Sequence, residues 1–197
     1  MVNLVAVTRN KGKMAEIRKL APDSFVISDL SSLDFTNEIP ETGDTFAQNA
    51  SQKAQLIHKT YGVNCLADDS GLEVKALDGR PGIFSARYAG PGATDLENMN
   101  KLLKEMDGKS DRTARFVCVI SLIINNKEYF FDGTLDGSIA ISPTGTNGFG
   151  YDPVFIPVGD NRTLATYLPE EKNRISHRAK AFAALRNFLR TIELTDK

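Results

Sequence analysis

Hydrophobic and polar positions change period along the chain, and each change marks an element. Val2 to Val7 is a short, Val-rich apolar run with the length of a buried strand. It stops at Thr8-Arg9-Asn10-Lys11-Gly12, after which Met14, Ile17 and Leu20 recur at helical spacing until Pro22 closes the helix. Thr45 to His58 repeats that spacing through Phe46, Ala50, Ala54 and Ile57. A strand is predicted around Asn64 to Ala67; it runs into Asp68-Asp69-Ser70-Gly71, beyond which Leu72, Val74 and Ala76 alternate. Thr94-Asp95-Leu96-Glu97 has capping-box spacing and opens a helix expected to turn Leu96, Met99, Leu103 and Met106 to one face.

Ala114 to Ile124 is the strongest strand signal, and Asn125-Asn126 should turn it into a second strand, Glu128 to Thr134. Gly137 to Ser142 and Val154 to Ile156 are expected as shorter strands. Ser176 caps a final helix whose buried face is Phe182, Leu185 and Leu189. Helices alternate with strands at both ends while the middle is hairpin-like, which predicts an α/β protein with a mixed sheet.

The chain has 197 residues, a length that suits one domain or two lobes sharing a core; with no linker or repeat, 1–197 is taken as a single domain. Its 24 Lys+Arg against 25 Asp+Glu give a net charge of −1, which argues against bulk binding to nucleic acid or anionic membrane. Two cysteines, Cys65 and Cys118, exclude a disulfide scaffold and a Cys-rich zinc site, and both fall in strands as small packed residues. No apolar run reaches membrane-spanning length, and the N-terminus opens on a strand pattern rather than a signal peptide. A cytoplasmic protein is expected.

Three polar clusters interrupt the core pattern. Thr8-Arg9-Asn10-Lys11-Gly12-Lys13 lies between a strand and a helix N-terminus, where backbone N–H groups, the helix dipole and three cations suit a phosphate. The bland alternative is a solvated turn, and the spacing is not that of a P-loop. Asp68-Asp69-Ser70-Gly71 follows an apolar strand; adjacent acids alternate sides of an extended chain, so one can ligate a metal while its neighbour positions water. Taken alone, an Asx-turn is the simpler account of it. Glu41 offers a further acid, and Lys53 lies in the helix that follows. In Gly148-Phe149-Gly150-Tyr151-Asp152-Pro153, glycines permit close approach, aromatics offer stacking faces and an aspartate offers an acceptor, as a planar base needs. A packed Gly/Pro turn explains it equally well. Lys172, Arg174, His177, Arg178 and Lys180 surround the Ser176 cap; cations there oppose the helix dipole unless an acceptor is near, and a solvated basic face is the plain alternative.

Together these segments resemble the inosine/xanthosine triphosphate pyrophosphatase family, the Ham1-like nucleotidases. The resemblance is carried, in order, by Thr8-x-Asn10-x-x-Lys13-x-x-Glu16, Glu41-Thr42-Gly43-x-x-Phe46-x-x-Asn49-Ala50-x-x-Lys53-Ala54, and Ala67-Asp68-Asp69-Ser70-Gly71-Leu72. Pro81-Gly82-Ile83-Phe84-Ser85-Ala86-Arg87-Tyr88, Gly148 to Pro153 and Ser176-His177-Arg178 complete it. It implies an elongated mixed sheet with flanking helices, forming two lobes around a central cleft. It also implies Mg²⁺-dependent hydrolysis of ITP, dITP and XTP to monophosphate and pyrophosphate by a homodimer.

By position, the resemblance gives Thr8, Arg9, Asn10, Lys11, Gly12 and Lys13, with Lys53 and Lys172, to the triphosphate. It gives Glu41 and Asp69 to the metal, with Asp69 as proton acceptor supported by Asp68. Ser70, Phe149, Gly150, Tyr151, Asp152, Lys172, His177 and Arg178 go to the nucleoside end. Donors from His177 and Arg178 would meet the 6-keto oxygen of hypoxanthine, whereas adenine's 6-amino group would face donors; an unpaired buried polar group costs about 1–3 kcal/mol. Two rivals remain at this stage: a Maf-type pyrophosphatase acting on pyrimidine or modified nucleotides, and a non-catalytic nucleic-acid binder using the basic C-terminal segment.

Overall fold

The computed structural model describes residues 1–37 and 39–190. In chain order its elements are β1 (Val2–Ala6), α1 (Lys11–Leu20), β2 (Phe25–Asp29), α2 (Phe46–Tyr61), β3 (Cys65–Val74), α3 (Asp95–Glu105), β4 (Thr113–Ile124), β5 (Lys127–Ile139), β6 (Phe155–Pro157), α4 (Pro169–Ile175) and α5 (His177–Leu189). The strands form one six-stranded sheet in the order β2-β1-β3-β4-β5-β6. β1 is parallel to both β2 and β3, while β5 and β6 are antiparallel, so the sheet is mixed as expected. Asn125 and Asn126 link β4 to β5 with positive φ at both residues, the backbone of a tight hairpin turn.

The chain divides into two compact units. Unit 1 is Met1–Asp69, Cys118–Gly133 and the segment from Arg178; unit 2 is Ser70–Val117 and Thr134–His177. In unit 1 alternate residues feed two cores. Leu4, Ala6, Leu66, Cys118, Ile120 and Leu122 pack with Ile17 and Leu20 of α1 and Phe182 and Leu185 of α5. Val5, Val7, Cys65, Ala67 and Ile123 pack with Ala54 and Ile57 of α2. Both faces of these strands are covered, which is why Val2 to Val7 carries so few polar residues.

Unit 2 has a single core. Ala114 and Phe116 are buried while Thr113 and Arg115 are exposed, and Leu135 and Ile139 are buried with Asp136 exposed between them. The buried set meets Met99 and Leu102 of α3, together with Met106 and Phe155. The Thr94–Glu97 capping box forms, but Leu96 is 60% exposed and the inward face of α3 is Met99, Leu102 and Met106.

Other expectations need correction. Asp68-Asp69-Ser70-Gly71 is not a turn; it lies inside β3. The strand expected at Gly137 is the end of β5, which runs on past Thr134 to Ile139. A Cβ on Gly137 would fall 2.3 Å from the Ile156 carbonyl oxygen and 2.5 Å from the Phe155 ring, so glycine there admits the neighbouring strand rather than ending its own. Short β2 and α4 were not anticipated. Among the described residues no helix is long and apolar enough to cross a membrane.

Candidate functional site

In unit 1, β1 ends at a turn that opens α1. Asn10 caps α1, accepting the Lys13 N–H at 3.0 Å, while the Thr8 hydroxyl accepts the Asn10 N–H at 3.2 Å. The Lys13 ammonium then reaches Asp68 Oδ2 at 3.3 Å. Lys11 is exposed and Gly12 half-buried, whereas the Arg9 guanidinium donates to the Asn37 and Phe35 carbonyl oxygens at 2.6 and 3.4 Å.

Because β3 is extended through both aspartates, their side chains leave opposite faces, and they find different partners. Asp69 meets α2: Asn49 Nδ2 donates to Oδ2 at 3.1 Å and Lys53 Nζ to Oδ1 at 3.3 Å. The same ammonium donates to Glu41 Oε1 at 2.6 Å. Asp68 meets Arg178, whose Nε and Nη2 donate to Oδ2 at 3.2 and 2.9 Å while Nη1 pairs with Glu16 of α1. Arg178 is 1% exposed, so this is a buried ion group joining α1, β3 and α5.

Burial dominates the electrostatics. It raises the pKa of Asp69 above the usual carboxylate range, aided by nearby Glu41 and opposed by Lys53 and Lys13. Burial also works against the charge on Lys53, but Asp69, Glu41 and Asp68 outweigh it and hold the ammonium above its ordinary value. For Arg178 the loss of solvent is likewise outweighed by Asp68, with a smaller part from Glu16.

A buried carboxylate that resists ionisation, beside the ammonium group of Lys53, is equipped to take a proton. Among the described residues no group of three or more His, Cys, Asp or Glu side chains is arranged around a metal position. The donor set nevertheless fits a hard divalent cation, since two oxygen donors, Glu41 Oε1 and Asp69 Oδ1, already converge on one positive charge.

In unit 2, the Gly148–Asp152 loop folds around its own aspartate. Asp152 Oδ2 accepts the Phe149 N–H at 2.9 Å and the Lys172 ammonium at 2.6 Å, and that ammonium lies 4.7 Å from the centre of the Phe149 ring. Gly148 has φ +78, and a Cβ there would fall 2.0 Å from Asp152 Oδ2, so only glycine fits. The Gly150 N–H donates to Asp95 Oδ2 at 2.7 Å, and the buried Tyr151 hydroxyl donates to the Ser85 carbonyl oxygen at 2.8 Å. His177 stacks on Phe116 with ring centroids 4.8 Å apart and planes 13° from parallel. Ser70, at the start of this unit's part of β3, is half-buried.

Within unit 1, therefore, the polar side chains fall into two groups, Thr8, Asn10, Lys13, Asp68 and Arg178 about one aspartate and Glu41, Lys53 and Asp69 about the other. Within unit 2 Phe149, Asp152 and Lys172 form another. The basic C-terminal segment is divided: Lys172, His177 and Arg178 are buried, whereas Arg174 and Lys180 are exposed. Sequence reasoning passed over Asn49 and Glu16, although both stand in the quoted motifs. Asn49 could have been found from its spacing, four residues before Lys53 and so on the same helix face.

Comparison with known proteins agrees with this arrangement of motifs. The sequence model of the Ham1 family matches residues 4–188. A dITP/XTP pyrophosphatase of Flavobacterium psychrophilum is 47% identical over 189 residues, covering 96% of this chain and 100% of that one. The dITP/XTP pyrophosphatase of Bacillus subtilis is 42% identical, with 96% and 98% covered. Among solved structures, the Ham1 protein of Coxiella burnetii superposes with a TM-score of 0.89 at 41% identity, covering 98% of this chain and 100% of that one. That of Staphylococcus aureus gives 0.87 at 41% identity, with 96% and 98% covered. With sequence and fold in agreement over nearly its whole length, the chain belongs to the Ham1 family.

Proposed function

We propose that this chain hydrolyses ITP, dITP and XTP to the monophosphate and pyrophosphate, keeping these nucleotides out of nucleic acids. The observation that carries the reading is the convergence of Glu41 and Asp69 on the Lys53 ammonium, with Asp69 buried and reluctant to ionise. Splitting the bond between the α and β phosphorus atoms requires charge neutralisation over the polyphosphate and an oriented water. Thr8, Asn10 and the Lys11 and Lys13 cations bind the phosphates, with Lys53 and Lys172 adding charge. Asp69 takes the water's proton on a carboxylate oxygen, and Asp68 holds Lys13 in place.

Glu41 and Asp69 would hold Mg²⁺, which when bound supplies charge neutralisation and lowers the pKa of water. Phe149 offers the base a ring face, and His177 with backbone N–H groups of the loop offers donors to the 6-keto oxygen. Arg178 enters this reading chiefly as the partner of Asp68, because Nε, Nη1 and Nη2 are already directed at carboxylates. A single domain over 1–197, a second copy of the chain as partner and a cytoplasmic setting belong to the same reading. Two buried thiols not joined in a disulfide, with Cys65 pushed up to about 12 by burial, suit that compartment.

Pyrophosphate release measured over ITP, dITP, XTP, ATP, GTP and dTTP, with Mg²⁺ and with chelator, tests the proposal. Mg²⁺-dependent release favouring the 6-keto purines ITP, dITP and XTP is expected. A preference for dTTP, or no metal-dependent release, would overturn it.

A further inference from the structure

We propose that Asn49 is a positioning residue: its carboxamide ties the loop carrying Glu41 to Asp69, so that both carboxylates serve one cation. This rests on the reading of Glu41 and Asp69 given above.

Asn49 is wholly buried on α2, and both ends of its amide are engaged. Oδ1 accepts the Gly43 N–H at 2.8 Å, and Nδ2 donates to Asp69 Oδ2 at 3.1 Å. Only this orientation is chemically consistent, because a flipped amide would set N–H against N–H and oxygen against carboxylate. Lys53, one turn further along the same face, joins Glu41 Oε1 to Asp69 Oδ1. The two oxygens of Asp69 thus have different partners from one helix, which fixes the plane of the carboxylate. A side chain fixed in this way presents its remaining lone pairs in one direction.

The loop is held residue by residue. Gln52 Oε1 accepts the Thr42 N–H at 3.1 Å and Gln48 Oε1 the Asp44 N–H at 2.7 Å, flanking the Gly43 contact. Gln48 is exposed and Gln52 half-buried, so water can take their place; Asn49 is the one of the three that is buried and also reaches Asp69. Gly43 reports how close the approach is. A Cβ there would lie 2.6 Å from Gln48 Cβ and 3.0 Å from Asn49 Oδ1, so the loop can sit this near α2 only without a side chain.

The test uses Asn49→Ala, Gly43→Ala and Gln52→Ala beside the wild-type chain, each checked by thermal melting. Hydrogen exchange of the 41–46 segment, read without nucleotide or metal, should speed up at least tenfold in Asn49→Ala. The Mg²⁺ concentration for half-maximal pyrophosphate release from ITP should rise about 10–100-fold. The KM for ITP at saturating Mg²⁺ should change far less. Gly43→Ala, which changes no residue of α2 but pushes the loop away from it, should shift the Mg²⁺ requirement the same way, whereas Gln52→Ala should leave it in place. A folded Asn49→Ala or Gly43→Ala with an unaltered Mg²⁺ requirement would overturn the assignment, since a merely structural role predicts lower melting without that shift. If the wild-type chain itself shows no Mg²⁺-dependent release, the functional reading fails and this assignment with it; if it is active, only Asn49 is at stake.

Discussion

In unit 1 the candidate site's side chains are held by one another's charge, whereas in unit 2 they are held by turns, ring faces and one buried ion pair. Asp68, Asp69 and Glu41 each find an ammonium or guanidinium, and Lys13, Lys53 and Arg178 depend on those acids in return. The Phe149 loop depends on Gly148 and Asp152, and His177 on the face of Phe116. His177 and Arg178 are consecutive in sequence, yet one belongs to each scheme. A charge network tunes proton affinity but leaves an uncompensated buried ion when a member is lost. A loop shaped by glycine and stacking can lose a side chain with less cost to folding. Unit 1 should therefore be sensitive in rate and stability together, and unit 2 mainly in selectivity.

The largest effect expected is on turnover. Asp69→Asn keeps shape but removes the proposed proton acceptor, and should lower kcat for ITP by about 10²–10⁴-fold in a chain that still folds, at a lower melting temperature because Lys53 loses one of its two acids. Near wild-type turnover at saturating Mg²⁺ would remove unit 1 from the chemistry.

Stability separates the two neighbours next. Arg178→Ala leaves Asp68 buried with Lys13 as its remaining cation, and should cost about 3–5 kcal/mol, or roughly 10 °C in melting temperature. His177→Ala should shift melting much less. Equal shifts for both would erase the contrast between the schemes. Gly148→Ala sharpens it from the other side: a residue at φ +78 pressed on Asp152 should cost about 1–2 kcal/mol in a chemical denaturation series.

Much of this was legible beforehand, for identifiable reasons. Burial on both faces of β1 produced the apolar run of Val2 to Val7, interrupted at the exposed Asn3, and the capping box placed α3 correctly. The failures share a cause: local chemistry was overruled by packing. Asp-Asp-Ser-Gly favours a turn, but β3 continues through it because each aspartate finds a cation from a helix on its own side. Gly137 looked like a strand boundary, but it is where the ring of Phe155 presses on β5. α4, only seven residues long, starts at Pro169, a proline at a first helical position, with Glu171 accepting the Leu168 N–H at 2.7 Å. The candidate site residues stood out as motifs, but the pairing of Arg178 with Asp68 did not. Residues 110 positions apart give no periodic signal.

The division of labour between charge and shape is tested most directly by one ratio, kcat/KM for ITP over that for ATP. It is measured in Lys13→Ala, His177→Ala and wild-type chain under identical Mg²⁺. A lysine on a phosphate is a point charge blind to the base, so Lys13→Ala should slow both substrates and leave the ratio within about threefold of wild type. His177→Ala should lower ITP turnover more than ATP turnover and narrow the ratio about tenfold, because only ITP loses a donor to its 6-keto oxygen. A ratio that collapses in Lys13→Ala and holds in His177→Ala would contradict the account.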